Sequence, residues 1–330
     1  MSPRRPGEDE LIARFFRPLA TAPGAARLMD DAATVPQIDG RELVVTTDAI
    51  VAGVHFFPDD PPDAIARKAL RVNLSDLAAK GARPAGYLVT LALPRDWTVD
   101  WLEGFVEGLG LDQEEYGISL LGGDTVRTPG PLWVSVTALG HAREGHVPRR
   151  HGAAPGQRLY VTGTIGDAAL GLRLRQDERL TIDWDLRRDE REWLLDRYLL
   201  PEPRLALADV VSAYATAAMD VSDGLAGDAR KLAAASRAGA LIDASQIPLS
   251  RAVRRAVNAD PDALVSALTG GDDYELLVAI EPSDAEAFEA EAAAAGVAVA
   301  DIGALVDGAE VVIEQAGRRL SLGAGSFSHF

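Results

Sequence analysis

Apolar and polar positions alternate along this chain with two periods. At 8–18, Leu11, Ile12, Phe15 and Phe16 recur at helical spacing and predict an amphipathic helix. The run ELVVTT at 42–47 predicts a strand, residues 61–81 a helix with proline near its start, and GYLVTLAL at 86–93 a second strand. A helix is predicted at 98–115, with Trp101, Leu102, Phe105 and Leu109 along one side, followed by strands at 118–121 and 132–139. The stretch REGHVPRRHGAAPGQ at 143–157 is polar and rich in turn residues, and it marks a domain boundary between 1–148 and 149–330. Beyond it, a strand at 158–162 turns through Gly163 and Gly166 into a helix, and the densely charged 173–191 predicts a surface excursion. Helices are predicted at 193–199, 204–214, 223–236, 262–269 and 283–295, with strands at 240–243 and 274–280 and short strands to the end. Strands and helices mix in both halves, so each half is expected to be a layered α/β (α+β) domain.

Composition narrows the classes. A chain of 330 residues with 47% hydrophobic content can bury a large core. The formal net charge of −17 argues against nucleic-acid binding, which needs Lys and Arg on phosphate, and against anionic membrane surfaces. There are no cysteines, which excludes disulfides, thiolate chemistry and Cys-ligated zinc. The leading MSPRRPGEDE lacks the apolar core of a signal peptide, and no apolar run approaches the ~20 residues of a bilayer span, so a cytoplasmic location is expected.

The informative acids stand at the ends of apolar segments. They are Asp30 and Asp31, Asp48 after VVTT, Asp76 in VNLSDL, Asp124 after LLGG, Asp220 and Asp223 in MDVSDGL, and Asp272 and Asp273 after LTGG. Strand ends and the turns after them are where α/β proteins place ligands. Two carboxylates ~4 Å apart repel by roughly 4 kcal/mol at an effective dielectric of ~20, so converging acids call for a hard divalent cation. Structural readings stand beside this one. Asp48 can cap a turn, Ser222 or Asp223 can cap the next helix, and Asp76 can pair with Lys80 at i,i+4. Asn73 and Asp76 share one helical face at i,i+3, and Leu74 and Leu77 turn the segment inward. The glycines of Gly122-Gly123-Asp124 would let backbone N–H groups approach a phosphate. The G-x-x-x-x-G-K-[ST] P-loop and the protein-kinase motifs are absent, and Gly163-Thr-Ile-Gly166 lacks the P-loop lysine.

Five blocks then occur in order: TTDAIVAGVHF at 46–56, KALRVNLSDLAAKGARP at 68–84, LLGGDTVR at 120–127, MDVSDGL at 219–225 and TGGDDYELL at 269–277. Together they resemble the thiamine-monophosphate kinase family, of the superfamily that includes aminoimidazole ribonucleotide synthetase. The resemblance covers nearly the whole chain. It implies two α/β domains without a P-loop, the N-terminal one binding metal and nucleotide and forming a homodimer. It also implies transfer of phosphoryl from ATP to thiamine monophosphate with several magnesium ions. It assigns metal binding to Asp31, Thr46, Thr47, Asp48, Asp76, Asp124, Asp220 and Asp223, and among these Asp48, Asp76 and Asp124 as catalytic. ATP contacts fall to Gly123, Asp124, Arg150 and Ser222, and thiamine-phosphate contacts to His55 and Asp272. The chain departs from the family pattern at Arg27-Leu28-Met29, where glycine is usual, at Asp272 in place of Glu, and near Ala324 in place of Trp; Phe327 supplies an alternative aromatic face. Selenophosphate synthetases and the hydrogenase-maturation relative need a cysteine that is missing here. The alternatives to the family reading are another ATP-dependent member of the superfamily and a metal-dependent phosphatase, which would also cluster aspartates.

Overall fold

The computed structural model describes residues 6–30 and 32–322. The chain divides into two compact units, one of residues 6–77 and 82–145, the other of 78–81 and 146–322. No described helix is long and apolar enough to cross a membrane.

The first unit is built on a four-stranded sheet in the order β1-β4-β2-β3, from β1 (Arg41–Val51), β2 (Arg83–Leu93), β3 (Leu120–Arg127) and β4 (Trp133–Arg143). β4 runs antiparallel to β1 and β2, and β3 runs parallel to β2. Ahead of the sheet, the apolar stripe at 8–18 breaks into α1 (Glu8–Leu11), a π turn (Ile12–Phe16) and a 3-10 turn (Arg17–Leu19), because Pro18 cannot donate to a continuous helix. Helices α2 (Pro62–Ala79) and α3 (Val99–Tyr116) complete this half. Thr98 caps α3 by accepting from Trp101 N, and Gly117 ends it in the left-handed region. On α2, Ile65, Leu70, Leu74 and Leu77 are all buried. Each such side chain contributes about 1.5–3 kcal/mol on burial. One face of the sheet (Val89, Leu91, Val134, Val136, Ala138) is likewise buried.

The second unit holds a seven-stranded sheet in the order β11-β10-β7-β9-β5-β8-β6. Its strands are β5 (Arg158–Thr162), β6 (Ala215–Val221), β7 (Gly239–Asp243), β8 (Glu275–Ile280), β9 (Val299–Val306), β10 (Val311–Gln315) and β11 (Arg318–Arg319). Its helices are α4 (Asp167–Gln176), α5 (Leu180–Asp183), α6 (Arg188–Leu199), α7 (Ala208–Tyr214), α8 (Leu225–Ser236), α9 (Arg251–Ala259), α10 (Asp262–Thr269) and α11 (Ala285–Ala294). β6 and α9 escape the periodicity reading. ATAAM is mostly alanine, of low strand propensity, and RAVRRAVNA is short, with three arginines among its small apolar residues. The charged 173–191 stretch is not all surface, since Trp184 within it is fully buried among Leu170, Leu174 and Leu194. Glu190 is also buried, against Arg251 and Arg255 of α9.

Candidate functional site

Strand alternation divides the expected carboxylate set in the first unit. β1 continues to Val51, so Asp48 lies inside the strand rather than in a turn after it, opposite Val136 of β4. Directly paired residues share a face, which places Thr46 and Asp48 with buried Ala138 and Val136, on the side covered by helices. There α2 meets them. Asn73, fully buried, anchors its amide to Ala69 O at 3.0 Å and accepts from Asp48 N at 3.0 Å. One turn on, Asp76 accepts from the Thr46 hydroxyl at 2.5 Å. The i,i+3 face of Asn73 and Asp76 thus grips β1, with Thr46 bonded to Asp76 on the strand face that Asp48 also occupies. The Lys80 expected as an ion-pair partner for Asp76 donates to Ala218 O at 2.7 Å.

Thr47 and Asp124 lie on the opposite face. Thr47 donates to Val136 O and accepts from Thr137, both at 3.1 Å. Gly122-Gly123-Asp124 lies within β3 and not in a turn after it, with Gly123 opposite Val89 and Asp124 opposite Thr90 of β2. Gly123 has φ 154°, and a Cβ there would sit 1.9 Å from Val89 O, so only glycine lets the strands approach this closely. Asp48, Val136, Val89 and Gly123 form one row across the sheet, which sets Asp48 and Asp124 on opposite edge strands, roughly 14 Å apart along it. The sheet therefore does not bring Asp124 to Asp48. Asp124 instead lines a cavity of about 750 Å³ with Asp30, Thr90, Thr137, Leu88 and Phe16. His55 is held after β1: its Nδ1 accepts from Val51 N at 3.0 Å and its carbonyl accepts from Lys68 at 3.0 Å. In the neutral ring the proton is then on Nε2. Asp31 and Phe327 lie outside the described residues.

In the second unit, Asp220 is buried near the end of β6, opposite Leu276. Ser222 and Asp223 follow, and α8 starts after them with Gly224 as its N-cap, at φ 102°, so neither Ser222 nor Asp223 caps it. The residue that organises this turn is Asp228, fully buried on α8, whose Oδ2 accepts from Ser222 N at 3.0 Å and Asp223 N at 2.9 Å. Its Oδ1 accepts from Lys231 at 2.7 Å, and Lys231 also ion-pairs with the Asp223 carboxylate. Burial raises the Asp228 carboxyl above its ordinary range, against the pull of Lys231. Burial works to lower the Lys231 ammonium, but its bonds to Asp223 and Asp228 outweigh that and leave it raised. Neither Asp228 nor Lys231 stood out in the sequence, because an Asp and a Lys three residues apart on a helix is the ordinary pattern of a surface pair.

The Gly270–Tyr274 loop is fastened to this turn. Asp272 N donates to Ser222 O and Tyr274 N to Val221 O, both at 2.9 Å. Asp272 (φ 74°) and Tyr274 (φ 51°) are both left-handed, a strain of about 1–3 kcal/mol each that the surroundings must hold. Between them Asp273, buried, accepts from Gly166 N at 2.7 Å and Ala168 N at 3.2 Å at the start of α4. The Gly163–Gly166 turn is thus a strand-to-helix turn capped by a carboxylate, as the missing lysine implied. Arg150 is exposed, and its carbonyl accepts from Ser236 at 3.2 Å.

Comparison with known proteins adds to this geometry. The family described as AIR synthase related protein, N-terminal domain, matches residues 29–142, and its C-terminal-domain counterpart matches 154–315. A curated thiamine-monophosphate kinase of Caulobacter vibrioides is 45% identical over 317 residues, covering 95% of this chain and 88% of that protein. The chain belongs to the thiamine-monophosphate kinase family. Solved members of that family share its fold. The crystal structure of the Stenotrophomonas maltophilia thiamine-monophosphate kinase superposes with a TM-score of 0.80 at 40% identity, covering 89% of this chain and 91% of that one. AaThiL complexed with AMPPCP and TMP superposes with a TM-score of 0.77 at 29% identity, covering 91% of each chain. The two-domain, P-loop-free α/β architecture implied by the sequence resemblance is that of this family.

Proposed function

We propose that this protein transfers the γ-phosphoryl group of ATP directly to thiamine monophosphate, giving thiamine diphosphate and ADP, at a site served by several magnesium ions. The observation that carries the reading is the Thr46–Asp76 hydrogen bond on the strand face shared with Asp48, whose backbone Asn73 holds, in a chain of this family. A related structure holding AMPPCP and TMP supports ATP as donor and thiamine monophosphate as acceptor.

The donor set fits the ion. Every side chain assigned to metal binding (Asp31, Thr46, Thr47, Asp48, Asp76, Asp124, Asp220 and Asp223) offers oxygen, the preference of a hard cation. Among the described residues no three His, Asp or Glu side chains stand close enough to hold an ion by themselves. Magnesium commonly takes one or two carboxylates and completes its shell with phosphate oxygens and water. When bound, it would neutralise charge on the transferring group.

The remaining chemistry falls to the chain. The acceptor's phosphate oxygen is already ionised near neutral pH, so no strong general base is needed. Positioning therefore matters most. Asn73 holds the backbone of Asp48, and the Thr46 hydroxyl holds the Asp76 carboxylate. Gly123, Asp124, Ser222 and Arg150 are assigned to the nucleotide. His55 and Asp272, with Phe327, are assigned to the acceptor.

We further propose a homodimer formed through the open face of the first unit's sheet. Leu43, Val45, Leu88 and Val126 are exposed there, an apolar surface that soluble monomers rarely leave bare. The test of the reaction is a coupled ADP-release assay with magnesium, comparing thiamine monophosphate, thiamine and buffer. Stimulation by thiamine monophosphate alone is expected; equal ADP release in all three would overturn the assignment of the acceptor.

A further inference from the structure

We infer that Lys231 is a built-in competitor for the divalent cation at Asp223: its ammonium holds that carboxylate while no ion is bound and must give it up when one binds. The inference rests on the reading of Asp223 as a metal ligand and deepens it.

Two carboxylates share this lysine, and they differ in kind. Asp228 is fully buried, and its Oδ2 is committed to the backbone N–H groups of Ser222 and Asp223. Its Oδ1 takes the Lys231 ammonium at 2.7 Å, at i,i+3 on the same helix. That carboxylate is structural: it fixes the turn and cannot turn toward a ligand without stranding two donors. Asp223 differs. Its side chain is 36% exposed, and its Oδ2 meets Lys231. Lys231 therefore stands between an acid that shapes the turn and an acid that faces outward.

A divalent ion on Asp223 cannot tolerate an ammonium on the same oxygen, because like charges at contact distance repel strongly. Lysine has the means to leave. Its ammonium is a point charge on a flexible four-carbon stem, and this side chain is 38% exposed. Asp228 keeps one bond to it when the Asp223 contact breaks. Every ion bound at Asp223 thus displaces an ion pair, and cation affinity is set lower than the carboxylate alone would give.

Manganese titrated calorimetrically into nucleotide-free protein tests this. Lys231→Met is expected to bind the ion about twofold to fivefold more tightly than wild type, the range of a partly exposed ion pair. Lys231→Arg, which keeps the charge, should stay near wild type, and the gain should vanish in the Asp223→Asn, Lys231→Met double variant. Affinity in Lys231→Met equal to or weaker than wild type overturns the inference while leaving Asp223 as a ligand. Loss of manganese binding by neither Asp223→Asn nor the double variant overturns the metal reading and the inference with it. A second measurement needs no variant. The chain has only three lysines, Lys68, Lys80 and Lys231, so protein labelled with 15N at lysine Nζ gives a simple spectrum. Magnesium should shift the Lys231 signal and leave Lys68, buried on the His55 carbonyl, in place. An unmoved Lys231 signal at saturating magnesium overturns the inference.

Discussion

Asp76 sits on a helix whose neighbouring positions Asn73, Leu74, Ser75 and Leu77 are all buried, while its own carboxylate stays half-buried against Thr46. Asp76→Asn keeps shape and volume and can still accept from Thr46, so the fold should hold while the charge offered to a cation is lost. Turnover is expected to fall at least about a hundredfold, as when a preorganised electrostatic group is removed, with the melting temperature unchanged; a variant of near-normal kcat would refute the assignment. Gly123 makes the opposite kind of demand. With φ at 154° and Val89 O only 1.9 Å from where a Cβ would lie, Gly123→Ala must push β3 away from β2. A loss of about 2 kcal/mol or more is expected in urea unfolding; a value within ~0.5 kcal/mol of wild type would show that the strands yield freely. At this scale the sequence was legible where a residue's surroundings were local. The shared face of Asn73 and Asp76 followed from helical period alone. The separation of Thr47 from Asp48 and of Asp48 from Asp124 depends on which face of which strand each occupies, and no short motif records that.

The Gly270–Tyr274 loop joins three elements, since Asp273 caps α4 while its neighbours bind the end of β6. Burial pushes the Asp273 carboxyl well above the usual carboxylate range, against the N–H bond from Gly166, and nearby Asp167 pushes it further. The fold therefore holds this proton more tightly than the unfolded chain does. The sign follows from linkage: the resulting stability is complete below the unfolded pKa of about 4 and is lost as pH rises through the raised folded value. Asp273→Asn cannot ionise, so the difference in melting temperature between wild type and this variant should move in the variant's favour as pH rises above ~4. Parallel curves across that range would show that Asp273 gains no proton on folding. Elements themselves were legible where one apolar stripe ran unbroken, as in α2, α3 and β2. Those that were missed have physical causes. ATAAM has Thr216 as its one β-branched residue among small ones, yet β6 is fixed by its ladder to β8. The GGD segment reads as a turn from composition, but glycine at 123 serves a close strand-to-strand approach instead. Trp184 sits among charges that conceal its burial in the chain order.

At the scale of the molecule, the open face of the four-stranded sheet is the feature that its own unit leaves unexplained. Leu43 and Val45 of β1 are 48% and 56% exposed, and they lie on the same face as Thr47, Leu88 and Asp124. The other face is buried beneath helices, so the alternation that would normally leave the outer side polar is broken here. Asp48 and Asp124 occupy opposite edges of this one sheet. Asp124 faces this apolar side and Asp48 the helix side, so a second copy on the apolar face would cover the side that Asp124 occupies. Val45→Glu tests it by placing an unpaired charge on the patch, where desolvation on association has no compensation. The side chain is exposed in the single chain, so unfolding stability of the isolated chain should change by less than ~0.5 kcal/mol. Sedimentation velocity should show wild type as a dimer at micromolar concentration and Val45→Glu dissociated, with affinity weakened at least about thirtyfold, a loss of roughly 2 kcal/mol. If the dimer forms through this face and completes the site, thiamine-monophosphate turnover should fall with the dimer fraction and return as protein concentration is raised. A dimeric Val45→Glu protein would move the interface elsewhere, and a fully active monomer would show that one chain suffices to bring Asp48 and Asp124 into the same reaction.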